Sequence, residues 1–228
     1  MDEFQYLIVH TNKGFFYSVK NILKNPGKTA RDFIEGNRVN HYKPILLAFV
    51  LGGISAFISF KLSGFNEILT EYYAQQNLPS ALSGKVMSFL SSYNSLIMLL
   101  LIPFISILTK LAFRTWGQNY YEHVIMNAYI QSCYTIISII IIHPILYLLR
   151  HNLNAFVLVT SLSLTVIPLI MVWFYKGFYK EKSLQSIILR VLLIILMGIA
   201  VYVMLIMAMA ILFVIFSGPE TFKALQHK

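Results

Sequence analysis

The run PILLAFVLGGISAFISFKL, Pro44 to Leu62, decides the fold. It is apolar throughout and carries one charge, Lys61, at its far edge. A helix of this length is long enough to cross a hydrocarbon layer of about 30 Å. A lipid-exposed backbone must satisfy its hydrogen bonds within its own segment, so the run is a helix and an open-edged sheet is excluded. Four more runs share this character: about Ser88–Leu111, His123–Leu149, Ala155–Tyr175 and Val191–Phe216. The expected fold is therefore all-α: an integral membrane bundle of five transmembrane helices over residues 44–217. Residues 1–43 form a basic arm before it and residues 218–228 a tail after it. Composition agrees, with 57% hydrophobic and 12% charged residues and a mean hydropathy of +0.69. A soluble domain carries about 25% charged residues.

The opening MDEFQYLIVHTNKG lacks a basic n-region, a long apolar h-region and a small-residue cleavage site. No signal peptide is expected, and the first span should direct insertion. Cys133 is the only cysteine, so neither an internal disulfide nor a cysteine zinc cluster can form.

Charge sets the expected orientation. The chain holds 18 Lys and Arg residues against nine acids. Seven of the cations precede the first span; Lys110 and Arg114 lie between spans two and three; Lys176, Lys180, Lys182 and Arg190 lie around the loop between spans four and five. All of these fall on one side, and only Lys61, Lys85, Arg150, Lys223 and Lys228 on the other. That asymmetry predicts a cytoplasmic N-terminus and an outer C-terminus. The basic excess predicts contact with anionic lipid heads rather than nucleic acid.

Within the arm, Phe15, Phe16, Val19, Ile22 and Leu23 share one helical face, with Lys20 and Lys24 beside it. This suits a helix lying in the membrane interface, or one packed on the cytoplasmic end of the bundle. NPGKTARDFIEGNR, Asn25 to Arg38, contains GKT, the tail of a phosphate-binding loop. The full G-x-x-x-x-G-K-[ST] pattern fails, because Ile22 stands where the first glycine belongs and Pro26 lacks an N–H. A helix start explains the letters better. Thr29 with Asp32 makes a capping arrangement, the helix is expected over about Ala30–Glu35, and Gly36 stops it.

The stretch NKGFFYSVKNILKNPGKTARDFIEGNRVNHYKP resembles the start of a bacterial membrane family known as domain of unknown function 3667. Pro26, Gly27, Lys28, Ile34, Glu35, Gly36 and Arg38 fit its pattern. A second block, RTWGQNYYEHVIMNAYIQS (Arg114–Ser132), resembles a G-x-N-Y-x-E-H element of the same family. The resemblance implies a multi-pass protein of the bacterial cytoplasmic (inner) membrane and supplies no activity. Many members carry a cysteine zinc ribbon ahead of the first block; none is expected here. A looser architectural similarity is to Yip-type five-span proteins.

Polar residues inside the spans are the remaining candidates. His123, Asn127 and Gln131 recur at i, i+4 and i+8 on one face of span three, extended by Tyr134 and Thr135. Span two offers Ser91, Ser92, Asn94 and Ser95 as partners. Interhelical hydrogen bonding is the plain reading; a permeation path or a lipid-head pocket is the functional one. Arg31, Asp32, Glu35, Arg38, Arg114, Glu122 and His123 all fall on the cytoplasmic side and could meet at the inner mouth of the bundle. Asp32, Glu35, Glu122 and His123 could in principle bind a divalent ion, but no tight ligand spacing supports it, and arginine pairing is the simpler use of the acids. No nucleophile–base pair or paired-carboxylate motif stands out. The expectation is a non-enzymatic scaffold or lipid-interacting component, without cofactor or metal. A small transporter or channel component and a lipid-modifying enzyme are the alternatives. The stripe Ala48, Gly52 and Ala56 suits close helix packing, with a protein partner or a second copy as the minority use. His143, before Pro144 in an apolar run, reads as a partner for a carbonyl loosened by a kink.

Overall fold

The computed structural model describes residues 14–75, 88–89 and 91–226, and those residues form no strand. Residues 1–13, and the part of the loop after α4 at 76–87, lie outside the described residues. Eight helices organise the rest. In the arm, α1 covers residues 14–24 and α2 covers Pro26–Ile34. The five membrane-length helices are α3 (Pro44–Leu62), α5 (Asn94–Ala112), α6 (Tyr120–Leu149), α7 (Leu153–Phe178) and α8, whose span is Leu184–Met209 within a helix reaching Gln226. A short amphipathic helix, α4 (Phe65–Gln75), follows α3 and buries Ile68. Among the described residues the protein is thus all-α and multi-pass, with five helices long and apolar enough to cross a membrane.

Helix ends depart from the hydropathy expectation where a polar cap, rather than apolar content, sets them. α6 begins at Tyr120, three residues before His123, because Asn119 and Glu122 form a reciprocal capping box. The Glu122 N–H donates to Asn119 Oδ1 at 2.9 Å, and the Asn119 N–H donates to Glu122 Oε2 at 2.8 Å. α8 begins at Leu184 rather than Val191, with the Ser186 N–H donating to Ser183 Oγ at 3.3 Å. α2 begins at Pro26, not Ala30. Its cap is Asn25, whose Oδ1 accepts from the Lys28 N–H at 2.9 Å, with Pro26 in the first turn where a missing N–H costs nothing. Thr29 is not the cap: its hydroxyl donates to the Asn25 carbonyl at 2.8 Å and is buried. Gly36 does end the helix, at φ +111.

The central helix is α6, with 44% of its apolar window buried against 11% for α8. It packs against α2, α3, α5 and α7, whereas α8 lies mainly against α5 and α7. The core is aromatic at the arm-side end, where Phe113, Tyr175 and Tyr179 stack with centroids 4.3 Å and 5.4 Å from Phe113. Two helices loosen by one turn of i→i+5 bonding, at Ile58–Leu62 in α3 and Ser138–Ile142 in α6, and α7 breaks at Leu164–Thr165. These are the kinds of sites at which a helical ladder bends.

The arm joins the bundle at one close crossing. α2 lies across the end of α7 so tightly that a Cβ on Gly27 would strike the Phe174 carbonyl oxygen and stand 2.8 Å from the Gly177 carbonyl carbon. A Cβ on Gly177 would strike Asn25 Oδ1 and stand 3.3 Å from Gly27 Cα. The glycine of GKT is therefore a packing residue. Gly27→Ala is expected to weaken arm docking by about 1–3 kcal/mol or more, because backbone cannot yield as a side chain can. Tryptic cleavage at Lys28 and Arg31 in detergent micelles should rise accordingly. Gly53→Ala, whose Cβ would meet only Ser95 Oγ at 3.7 Å, should leave cleavage unchanged. Equal protection in both variants would refute the crossing.

Candidate functional site

The stripe of α6 forms a hydrogen-bonded seam with α5. Asn127, 5% exposed, directs its amide at Ser106 Oγ (3.2 Å), Thr109 Oγ1 (2.9 Å) and the His123 carbonyl (2.8 Å). Gln131 donates to Met98 Sδ at 3.4 Å and lies 3.5 Å from Thr135 Oγ1. The partners of Asn127 are Ser106 and Thr109, near the arm-side end of α5, and not the Ser91–Ser95 group. Depth is the reason. Antiparallel helices place the end of α5 beside the start of α6, so a polar group two turns into α6 meets one near the end of α5. His123 is fully buried against Phe113, with ring centroids 6.2 Å apart, and neither ring nitrogen has a hydrogen-bond partner.

The charged residues do not converge on one pocket. Arg31 Nε pairs with Glu35 Oε1 at 3.5 Å, one turn along α2, and Arg31 Nη2 reaches Glu181 Oε1 at 3.4 Å across the α7–α8 loop. Arg38 turns back on its own segment, donating to the Phe33 carbonyl at 3.3 Å with its guanidinium 5.5 Å from the Phe33 ring. Glu122 is occupied by its capping box. Arg114 is exposed at the turn after α5. Asp32 lines a separate polar pocket of about 390 Å³ with Tyr17, Lys24, Lys28 and His41. Among the described residues no three His, Cys, Asp or Glu side chains group as a metal would need. α2 does dock on the bundle, but through Phe33 on Tyr129 and through α7. Glu181 is the partner that sequence reasoning missed; it stands 150 residues from Arg31, and only the α2–α7 crossing brings the two together.

Cations close the arm-side loops by reaching carbonyls. Lys110 donates to the Gln118 carbonyl, and Arg190 to the Ala112 carbonyl and to Thr115 Oγ1 at 2.9 Å. Lys176 donates to the carbonyls of Lys180 (3.2 Å) and Lys182 (2.8 Å). Arg190 also lies 4.4 Å from the Trp116 ring. Tyr179 donates to Gln118 Oε1 at 2.8 Å, and burial pushes its phenol well above the usual range, so it stays a donor into the alkaline range where an exposed tyrosine would ionise.

Residues 12–56 match the model of a family described as Protein of unknown function (DUF3667). The match covers the arm from residue 12 and most of α3, and it agrees with the resemblance carried by Pro26, Gly27, Lys28, Ile34, Glu35, Gly36 and Arg38. The second block, Arg114–Ser132, lies outside the matched residues. No curated protein and no solved structure matches the chain.

Two measurements test this geometry. Asn127→Leu should cost about 1–2 kcal/mol, since interhelical hydrogen bonds in membranes average about 0.6 kcal/mol each and both Ser106 and Thr109 lose the donor that Asn127 supplies. Unfolding in mixed detergent micelles would show it. Glu122→Gln, which preserves a capping box, should be near neutral, and Asn119→Ala should cost about 1 kcal/mol. The reverse ranking would mean that Glu122 matters for its charge. His41 gives a pH signature. Burial lowers its pKa from the ordinary value, and Asp32 opposes that only in part. The folded arm therefore binds the proton more weakly than the unfolded arm does. The stability concerned is present above the unfolded value of about 6.5 and is lost as pH falls through the folded value. Arm protection should drop from pH 7.5 to pH 5.5 (chosen to bracket that value, about 6.5), and His41→Asn should flatten the drop.

Proposed function

We propose that this chain is a non-enzymatic integral membrane protein of a bacterial cytoplasmic membrane whose N-terminal arm binds anionic lipid head groups. The observation that carries the reading is the split face of α1. Ile22 and Ser18 are fully buried, with Phe15 and Val19 packed beside them, so one side of α1 docks on the bundle. The other side leaves Phe16 (68% exposed) and Leu23 (42%) uncovered next to exposed Lys20 and Lys24. Apolar side chains beside lysines at the end of a membrane bundle suit the boundary between acyl chains and head groups. The basic edge continues from Lys24 to Lys28 around the 390 Å³ pocket. The same end gathers twelve Lys and Arg residues among the described ones, which supports a cytoplasmic arm and an outer C-terminus.

A transporter or channel built on the polar face of α6 has less support, because the Asn127 amide is engaged by α5 and by its own helix. A lipid-modifying enzyme on the arm-side acids has less still, because Glu35 and Glu122 are separately engaged.

The test is lipid preference in nanodiscs of mixed phosphatidylglycerol and phosphatidylcholine, read by native mass spectrometry. Each basic residue near an anionic surface contributes about 1 kcal/mol, so Lys20→Glu with Lys24→Glu should cut the phosphatidylglycerol preference about tenfold or more. An unchanged preference overturns the lipid reading. A cytoplasmic signal from a reporter at Lys228 overturns the orientation alone.

A further inference from the structure

The half of the bundle away from the arm holds a cavity of about 270 Å³ between α3, α5, α6 and α7. A water occupies about 30 Å³ in the liquid, so this space exceeds what one bridging water needs. Its polar lining includes Ser55, Asn94, Ser138, His143, Thr160 and Ser161. Every side chain lining it is uncharged at neutral pH, His143 counted as neutral. Ser55 Oγ and His143 Nε2 share a hydrogen bond of 2.8 Å across α3 and α6.

Two polar atoms here are left over. Ser138 Oγ and His143 Nδ1 are buried without a partner, in residues only 4% and 8% exposed. Ser138 differs in this from its neighbours on the same helix. Ser132 and Thr135 satisfy their hydroxyls on carbonyls one turn back, at 2.8 Å and 2.9 Å. Unpaired polar groups in a hydrocarbon layer are costly, so two of them at one cavity point to something that supplies their partners.

The backbone points to the same place. The loosened turn of α3 ends one wall, the loosened turn of α6 starts at Ser138, and the break in α7 follows Ser161 and Ser163. Irregular helical backbone inside a membrane is tolerated where it is covered by protein or lines a cavity, and it recurs at binding sites. Beyond His143 lies an apolar surface groove of about 550 Å³, lined by Leu62, Ile139, Pro144 and Leu148. His143 belongs to both. A largely apolar, uncharged chamber that keeps a few hydrogen-bonding groups and adjoins an apolar groove has the form of a neutral amphiphile.

We propose that this cavity binds the uncharged, hydroxyl- or carbonyl-bearing head of a membrane-dissolved amphiphile, with Ser55, Ser138 and His143 supplying its hydrogen bonds and the groove taking its chain. A charged head is disfavoured, because nothing in the lining would neutralise it.

The full chain in phosphatidylcholine nanodiscs can be photolabelled with a diacylglycerol carrying a diazirine near its glycerol. Labels should concentrate in residues 55–60 and 138–146. Excess dioctanoylglycerol should displace them, and dioctanoylphosphatidate, which has the same tails and an anionic head, should not. Ser138→Ala should weaken displacement about fivefold, the loss of one neutral hydrogen bond. Ser138→Leu should remove the hydroxyl and obstruct the cavity beside His143, cutting the displaceable fraction further than Ser138→Ala does. Labels that follow lipid-exposed area along α8, equal displacement by the phosphatidate, or unchanged labelling of both variants would each overturn the proposal. Should Ser138→Leu fail to fold, the Ser138→Ala measurement decides alone.

Discussion

The approach of Gly27 to Gly177 is the constraint on which the arm-side end of the molecule depends. Two helix backbones meet there with no side chain between them. Everything else at that end is arranged around the contact. Asn25 uses its side chain to cap α2, and it sits in the space a side chain on residue 177 would need. Arg31, one turn into α2, is thereby brought beside Glu181 and over Phe178, 6.0 Å from that ring. The ion pair is exposed, and pairs of that kind contribute about 0–1 kcal/mol, so it aligns the arm more than it holds it. The close packing and the buried faces of Ile22, Ala30 and Tyr129 do the holding.

The same end shows how a basic excess can serve two purposes. Lys110, Lys176 and Arg190 direct their charges at carbonyls that the loops leave unpaired. Carbonyls at helix ends lack intrahelical donors, and a nearby cation supplies one. Lys20 and Lys24 face outward from α1 instead. A count of positive charge along the sequence treats all of these alike, and only their surroundings separate loop closure from a surface open to lipid heads.

That difference explains what was legible beforehand. The five spans follow from hydropathy, because hydrocarbon leaves the backbone no other choice. Their ends do not, because Asn119 with Glu122, and Ser183, are local polar devices that hydropathy does not register. The stop at Gly36 was readable from a residue type. The start at Asn25 was misplaced to Thr29, since two side chains within one turn could each have capped and only the fold chose. Gly27 could be stripped of a nucleotide role from its neighbours alone. Its real role needed Gly177, 150 positions on. Ser106 and Thr109 were within reach of the sequence, because antiparallel neighbours bring the end of α5, and not the Ser91–Ser95 group, beside the start of α6.

Buried polar atoms without partners occur at both ends, and their surroundings separate them. His123 and the hydroxyls of Tyr129 and Tyr175 lie in the packed arm-side core, with Phe113 against both His123 and Tyr175. Aromatic bodies fill that space, and their hydrophobic packing offsets the unmet polar edge. Ser138 and His143 have no such filling. They border an open chamber, beside a helix turn that has given up its regular hydrogen bonds. The arm-side half is thus closed by packing and by cations on carbonyls, whereas the far half keeps unmet hydrogen-bonding capacity next to free volume. A bundle whose only task was to hold its arm would gain stability by closing that chamber with larger apolar side chains along its walls. Its persistence in this sequence is the physical reason to look for an occupant there rather than at the GKT segment.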